Sequence, residues 1–343
     1  MIAATLKKYL KKVKEFSKEN SAYEVASNLY IRGSENELFF SCSDADTGIQ
    51  QIVPIVGTSI IGECCVNVFN FAKLIDSMKD EDDLEITINN DNIQVKQGRV
   101  KVKIANYPST NFFNIPEQRD PYKSLDNEFL KFLKKVIQTD NDDTYPIMYN
   151  HGFLYYANPR AMIVVETDIF DTEFAINNSF LKKMLLDNFD EIKITQNQIY
   201  LKNNTCTIFL PLFNGAMLDL RGPLRMVKDT YTFTCKMGID ELNYYYKIIK
   251  SLSDFMQMYR IEFIFDQDKL KMTFLDSEFI IKDFDYEGPV IKYGIPLASF
   301  KQIIKEHFIG NVKYLNIKLQ DKPSMFVVEG DNVRFIGGLY RDL

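Results

Sequence analysis

The sequence predicts an α+β fold built from three repeats of one unit, each with two helices and two groups of antiparallel strands. Three observations predict it. Six segments carry apolar residues at helical spacing. Three of these, the shorter ones, are followed by tails that alternate apolar and polar residues, as strands do. The order helix, strands, helix, strands recurs about every 114 residues, a third of the 343-residue chain, which marks a modular architecture able to close on itself.

The first helix lies over 5–19. At about 100° per residue, Leu6, Tyr9, Leu10, Val13 and Phe16 share one arc, while Lys7, Lys11, Lys14 and Lys18 form a row on one flank. Lys8, Lys12, Glu15 and Glu19 share the other flank, at spacings that allow pairing. Strands follow in "VASNLYIRG", "NELFFSCS" and "GIQQIVPIV", then a helix over 69–79 with Lys73 outward, then "LEITIN", "NIQVKQ" and "RVKVKIA". In the second repeat a helix spans 126–138, with Asp126 as N-cap, Phe129, Phe132, Leu133, Val136 and Ile137 inward, and Lys131, Lys134 and Lys135 outward. A helix over 179–188 presents Lys182 and Lys183, and "IKITQ", "QIYLKN" and "TCTIFLP" follow. The third repeat has a helix over 240–253, with Leu242, Tyr245, Tyr246, Ile249 and Leu252 on its apolar arc and Lys247 and Lys250 opposite. Its second helix, 298–308, turns Lys301 and Lys305 outward and precedes "YLNIKL", "MFVVEG" and "NVRFIGG". Connectors "IPEQRDPYKS" and "LRGPLRMVK" divide the chain into domains 1–118, 119–226 and 227–343.

Charge is sorted by element. The chain carries a net −6, yet the six helical segments together carry +8, leaving −14 elsewhere. Charge polarised in this way by secondary structure is more than a solvated face alone accounts for. Other chemistries are poorly supplied. Nucleotide-loop, nucleophile-elbow and zinc-protease motifs are missing. Of the two histidines, His307 falls on an apolar helical arc, as a packed residue would, and His151 stands alone. Asp140, Asp142 and Asp143 lack the glycine of a calcium loop. The five cysteines, Cys42, Cys64, Cys65, Cys206 and Cys235, form no C-x-x-C pair, so neither a disulfide framework nor a zinc site is expected. The expectation is a protein of the reducing cytoplasm, with no catalytic residue, metal, cofactor or membrane span.

The stretch "FAKLIDSMKDEDDLEITINNDNIQVKQGRVKVKIANYPSTNFFNIPE" resembles the end of the first domain of bacterial-type sliding clamps, the beta subunit of the replicative DNA polymerase. Helix, acidic turn, two strands, Gly-Arg hairpin and Pro-x-x-x-Phe tail come in the same order. "PLFNGAMLDL" and "FIGGLYRDL" resemble the family's stretches at the end of domain two and at its C-terminal strand and tail. Identities are sparse outside the first domain, as a divergent, phage-encoded clamp would show.

The resemblance implies the DNA-clamp fold, a head-to-tail ring of two chains with strands outside and helices lining a hole. It implies a non-enzymatic processivity factor for DNA replication, which encircles duplex DNA without regard to sequence and binds the polymerase and clamp loader through short peptides. The pore set would be Lys7, Lys11, Lys14, Lys18, Lys73, Lys131, Lys134, Lys135, Lys182, Lys183, Lys247, Lys250, Lys301 and Lys305. The peptide pocket would use Tyr155, Asn158, Arg160, Met162, Met217, Leu218, Met325, Leu339, Tyr340 and Leu343. In place of the family's Thr-Asp-Gly-His-Arg stretch this chain has "YANPRAMIVV", so a different motif preference is expected. The dimer interface would use the edge strand at Arg99, Val100, Lys101, Val102 and Lys103, with Leu252 as an apolar plug. The competing reading is a repeat-built protein-interaction scaffold that never binds DNA.

Overall fold

A computed structural model describes residues 3–19, 21, 23–55, 60–115, 121–139, 145–158, 161–217, 219, 233–252, 260–304, 314–319, 325–330 and 333–338. The first repeat runs α1 (Ala3–Lys14), β1 (Asn28–Gly33), β2 (Glu37–Ser43), β3 (Gly48–Pro54), β4 (Gly62–Asn67), α2 (Val68–Asp76), β5 (Glu85–Ile88), β6 (Asn92–Gln97) and β7 (Val100–Ala105). The second runs β8 (Lys123–Ser124), α3 (Asn127–Thr139), β9 (Pro146–Asn150), β10 (Phe153–Ala157), β11 (Ala161–Glu166), β12 (Phe174–Asn177), α4 (Leu181–Met184), β13 (Glu191–Ile194), β14 (Gln198–Lys202) and β15 (Cys206–Pro211). The third runs β16 (Phe233–Gly238), α5 (Ile239–Leu252), β17 (Arg260–Phe265), β18 (Leu270–Phe274), β19 (Ser277–Ile281), β20 (Phe284–Tyr286), β21 (Ile291–Pro296), α6 (Leu297–Ile304), β22 (Tyr314–Leu319), β23 (Met325–Gly330) and β24 (Val333–Gly338).

Two compact units cut across the middle repeat. One comprises Met1–Asn127 and Lys182–Leu212, the other Glu128–Leu181 and Phe213–Leu343. In the first unit a sheet runs β4-β1-β2-β3-β15-β14-β13-β8, beside a smaller sheet β5-β6-β7. In the second, one sheet runs β12-β9-β10-β11-β24-β23-β22-β16-β20 and another β19-β18-β17-β21. Each large sheet therefore continues from one repeat into the next, through β3 against β15 and β11 against β24, both antiparallel.

Helix α1 buries Leu6, Leu10 and Val13, the arc expected from their spacing. It stops at Lys14. The amides of Glu15 and Phe16 then donate three residues back, to the Lys12 and Val13 carbonyls, a tight turn that sinks Phe16 into the core. At the other end the amides of Ala3 and Ala4 donate to the Asp82 and Asp80 carbonyls, filling first-turn donors from the acidic turn after α2. Asn67 caps α2, its side chain accepting from the Phe69 and Asn70 amides at 3.1 and 3.0 Å.

The helix expected over 179–188 is much shorter. A 3-10 turn at Asn178–Phe180 leads into the single turn of α4. The amides of Leu185 and Leu186 then bond three residues back, and Phe189 is drawn into the core.

At the β3–β15 join, Gly48 lies opposite Phe209. A Cβ on Gly48 would sit 2.3 Å from Phe209 Cε1, so the ring occupies the space a side chain would take. Phe209 also packs with Ile115 and Tyr200, with Tyr122 against them. In the second unit Phe129 meets Phe170 and Phe174 edge-on, and Tyr149 joins both. In the third repeat Phe300 of α6 packs on Phe263 of β17 and Tyr246 of α5.

Candidate nucleic-acid interface

The lysine row of α1 divides into two kinds. Lys11 and Lys14 are exposed, and Lys14 stands 5.7 Å from the Phe69 ring. The end members are engaged. Lys7 is half-buried, donates to the Met78 carbonyl at 2.7 Å and pairs with Asp80 at 2.5 Å. Lys18 lies beyond the helix and bridges Asp44 at 3.6 Å and Asp46 at 3.3 Å, with Asp44 chiefly holding its ammonium above the ordinary value. Two of the four lysines expected in the row are therefore claimed by carboxylates. A helical wheel counts neighbours on the helix alone, and these carboxylates come from loops distant in sequence. Lys8 is the reverse case. Assigned by spacing to the pairing flank, it is exposed and no carboxylate reaches it among the described residues. Nothing in the spacing distinguishes it from Lys12, which pairs with Asp187 at 2.5 Å.

Lys73 on α2 and Lys182 on α4 are exposed, as expected. Lys183 is not outward, and this too is a correction. It is partly buried, donates to Thr47 Oγ1 at 2.7 Å and lies 4.8 Å from the Phe16 ring centroid. Burial lowers its pKa from the ordinary lysine value, and nearby Asp44 opposes that shift. Because α4 is one turn long, its second lysine faces the first repeat instead of solvent. In the second unit Lys131, Lys134, Lys247, Lys250 and Lys301 are exposed. Lys135 is half-buried, and Lys131 bridges Glu128 one turn back at 2.6 Å. Lys305 lies outside the described residues.

Strand β7 forms an edge of its three-stranded sheet. Val100 is 54% exposed there, Lys101 and Lys103 are exposed, and Val102 is half-buried. Arg99 sits in the preceding turn. Leu252, the last residue of α5, is 51% exposed, although its spacing put it on the inward arc. Strand β19 is also an edge, with exposed Ile280 within it and exposed Leu275 in the turn before it. An edge strand with apolar exposure is a pairing surface.

The expected peptide pocket is only partly traceable. Asn158 and Met162 are half-buried and Met217 is 36% exposed. Tyr155 pairs with Val164, and Ala157 with Met162, so Tyr155 and Met162 share one sheet face. Yet Tyr155 is 0% exposed, and burial pushes its phenol up to about 12. It supports the sheet and is corrected as a contact residue, since alternation predicts a face but not what covers it. Met325 opens β23 opposite Gly338. Arg160, Leu218, Leu339, Tyr340 and Leu343 lie outside the described residues, as do Asp140, Asp142, Asp143 and His307.

His151 occupies a left-handed turn position (φ 49°) with Nδ1 3.3 Å from Glu173. Among the described residues no cluster of His, Cys, Asp or Glu could hold a metal, and no helix is long and apolar enough to cross a membrane.

Residues 3–116 match the family of the DNA polymerase III beta subunit, N-terminal domain. The "Beta sliding clamp" of Vibrio cholerae is 24% identical over 145 residues, 42% of this chain and 40% of that relative's length. The Helicobacter pylori beta clamp bound to a DNA ligase peptide superposes with a TM-score of 0.81 at 15% identity over 99% of each chain. The DNA polymerase III subunit beta of Pseudomonas aeruginosa gives 0.79 at 15% identity, again over 99% of each. The beta subunit of Streptococcus pyogenes DNA polymerase gives 0.80 at 11% identity over 100% and 99%. The fold of the whole chain is the sliding-clamp fold.

Proposed function

We propose that this chain, with the clamp fold throughout and a first repeat that matches the beta-subunit family, is a DNA sliding clamp that tethers the replicative polymerase in the cytoplasm. One observation carries the reading. The same antiparallel join recurs within the chain, β3 to β15 and β11 to β24. It leaves β19 of the third repeat and β7 of the first as edges. A second copy supplies each edge with the partner that the internal joins predict, so two head-to-tail chains close a ring.

Lysine suits the inner surface. Its flexible, hydrated point charge gives affinity for phosphates without geometry-fixed base contacts. Exposed Lys8, Lys11, Lys14, Lys73 and Lys182 supply such charge on the first unit, and Lys134, Lys247, Lys250 and Lys301 on the second. Retention comes from closure, so each contact can be weak, and the acidic remainder disfavours DNA on the outer surface. The similar structures of a DNA polymerase III subunit beta and of a beta clamp bound to a DNA ligase peptide support a peptide-tethering role here. Of the expected pocket residues, Asn158, Met162, Met217 and Met325 are described and would contribute to it.

The test pairs light scattering with retention on DNA. The chain should be a dimer at micromolar concentration, held on nicked circular duplex and lost on linearisation. Leu252→Lys should weaken the dimer. A monomer whose behaviour Leu252→Lys leaves unchanged, or equal retention on linear and circular DNA, would refute the reading. A dimer that ignores DNA would instead favour the protein-interaction scaffold.

A further inference from the structure

We infer that Lys12 and Lys183 are positioning residues rather than DNA contacts, two ties that fix α4 and the β13–β15 segment against the first repeat. The inference rests on the clamp reading only for its consequence, the alignment of lysines on two repeats. The ties themselves stand on geometry within one compact unit.

Both lysines belong to helices that also carry exposed lysines, Lys8, Lys11 and Lys14 on α1 and Lys182 on α4, and both reach across the same join. Lys12 leaves α1 to meet Asp187, just past α4, at 2.5 Å, with both side chains largely shielded. Lys183 crosses the other way from α4. It donates to Thr47 Oγ1 at 2.7 Å and covers the Phe16 ring at 4.8 Å. Thr47 is prepared for this. Its amide and hydroxyl both donate to Asp44 Oδ1, at 2.7 and 3.1 Å, which leaves the hydroxyl lone pairs to accept from the lysine. The join also has a backbone component. The Ile52 amide donates to the Thr205 carbonyl at 2.7 Å, and fully buried Gln51 donates to the same carbonyl at 3.0 Å.

The two ties run in opposite directions, one from each helix, so together they resist sliding as well as separation. Exposed Lys182 is thereby held in fixed relation to Lys8, Lys11 and Lys14. A lysine spent on positioning adds no phosphate contact of its own, which separates this role from that of its neighbours.

The experiment uses the full chain with spin labels at exposed Asp76 and Asn204, one on each side of the join, introduced as cysteines. The native cysteines are buried. Lys12→Glu and Lys183→Met should each broaden the interlabel distance distribution, and Lys12→Glu combined with Asp187→Lys should restore it. The salt dependence of DNA binding should keep its slope in Lys183→Met. A slope reduced by about 0.9, one phosphate contact, would make Lys183 a DNA contact and overturn the inference. A lower melting temperature with an unchanged distance distribution would reduce the ties to general stability and also overturn it. If the unaltered protein failed to retain DNA, the clamp reading would fall while the distance measurement still decided the ties.

Discussion

Reversing Lys11 and Lys14 to Glu should weaken DNA binding without touching the fold, whereas Lys7→Glu should mainly destabilise the protein. Lys11 and Lys14 are exposed and form no described ion pair. Each phosphate contact adds about 0.9 to the slope of log affinity against log salt. Losing two lowers the slope by about 1.8. Over the fourfold change from 50 to 200 mM salt, affinity should then fall about tenfold less than for the unaltered protein. Lys7 is held differently. Its pair with Asp80 involves a well-exposed carboxylate and is worth about 0–1 kcal/mol. Its charged hydrogen bond to the Met78 carbonyl adds about 1.5–3 kcal/mol. A carboxylate there would also face the acidic turn at Asp80–Asp83. Lys7→Glu should therefore cost on the order of 2 kcal/mol and change the slope little. Anisotropy of a labelled duplex across salt, beside thermal melts, reads both. An unchanged slope in the Lys11, Lys14 double variant would remove these residues from the DNA surface. A Lys7 variant that melts normally but loses slope would reverse the assignment.

At the join, Gly48→Ala should destabilise by about 1–3 kcal/mol through overpacking against Phe209, and a Gly48→Ala, Phe209→Leu pair should recover part of it in denaturant melts. Alkaline pH should also destabilise. Burial raises the thiols of Cys42, Cys65, Cys206 and Cys235 to about 12 and that of Cys64 to about 11, above the ordinary thiol value near 9. The unfolded chain loses these protons first, so the contribution is complete below about pH 9 and is lost as pH climbs toward 12. The slope approaches about 1.4 kcal/mol per pH unit per thiol, and alanine at Cys42 should flatten it in pH-dependent melts. Deleting residues 339–343 should abolish calorimetric binding of polymerase-type peptides while light scattering still reports a dimer; full-strength binding would place the peptide site elsewhere.

Much of this architecture was written in periodicity. The arc of α1, the alternation in β5 to β7 and the recurrence of both at one third of the chain need only local spacing, and the structure follows them. Departures arise where a partner lies far along the chain. No wheel on residues 179–188 shows that Lys183 meets Thr47, or that tight turns after Met184 end the helix. Likewise Lys7 looks like Lys11 and Lys14, and Lys8 like Lys12, until Asp80 and Asp187 are placed in space. Tyr155 shows the same limit for strands. Its face follows from alternation, but its burial depends on chain from elsewhere. The acidic run "KDEDDLE" beside a lysine-rich repeat was the one available hint that some lysines would be claimed by carboxylates.

The discontinuity of the first compact unit has a consequence for synthesis. Strand β3 ends at Pro54, but β15, its neighbour in the sheet, begins only at Cys206. Roughly 150 residues must be translated in between, about 8–30 s at ribosomal speeds of about 5–20 residues per second. Through that interval the nascent chain carries β3 as an open edge, with Ile49 and its neighbours unmatched. Growing copies on one message could pair there with each other. Slow translation before residue 206 should therefore raise the aggregated fraction more than the same delay placed after residue 212.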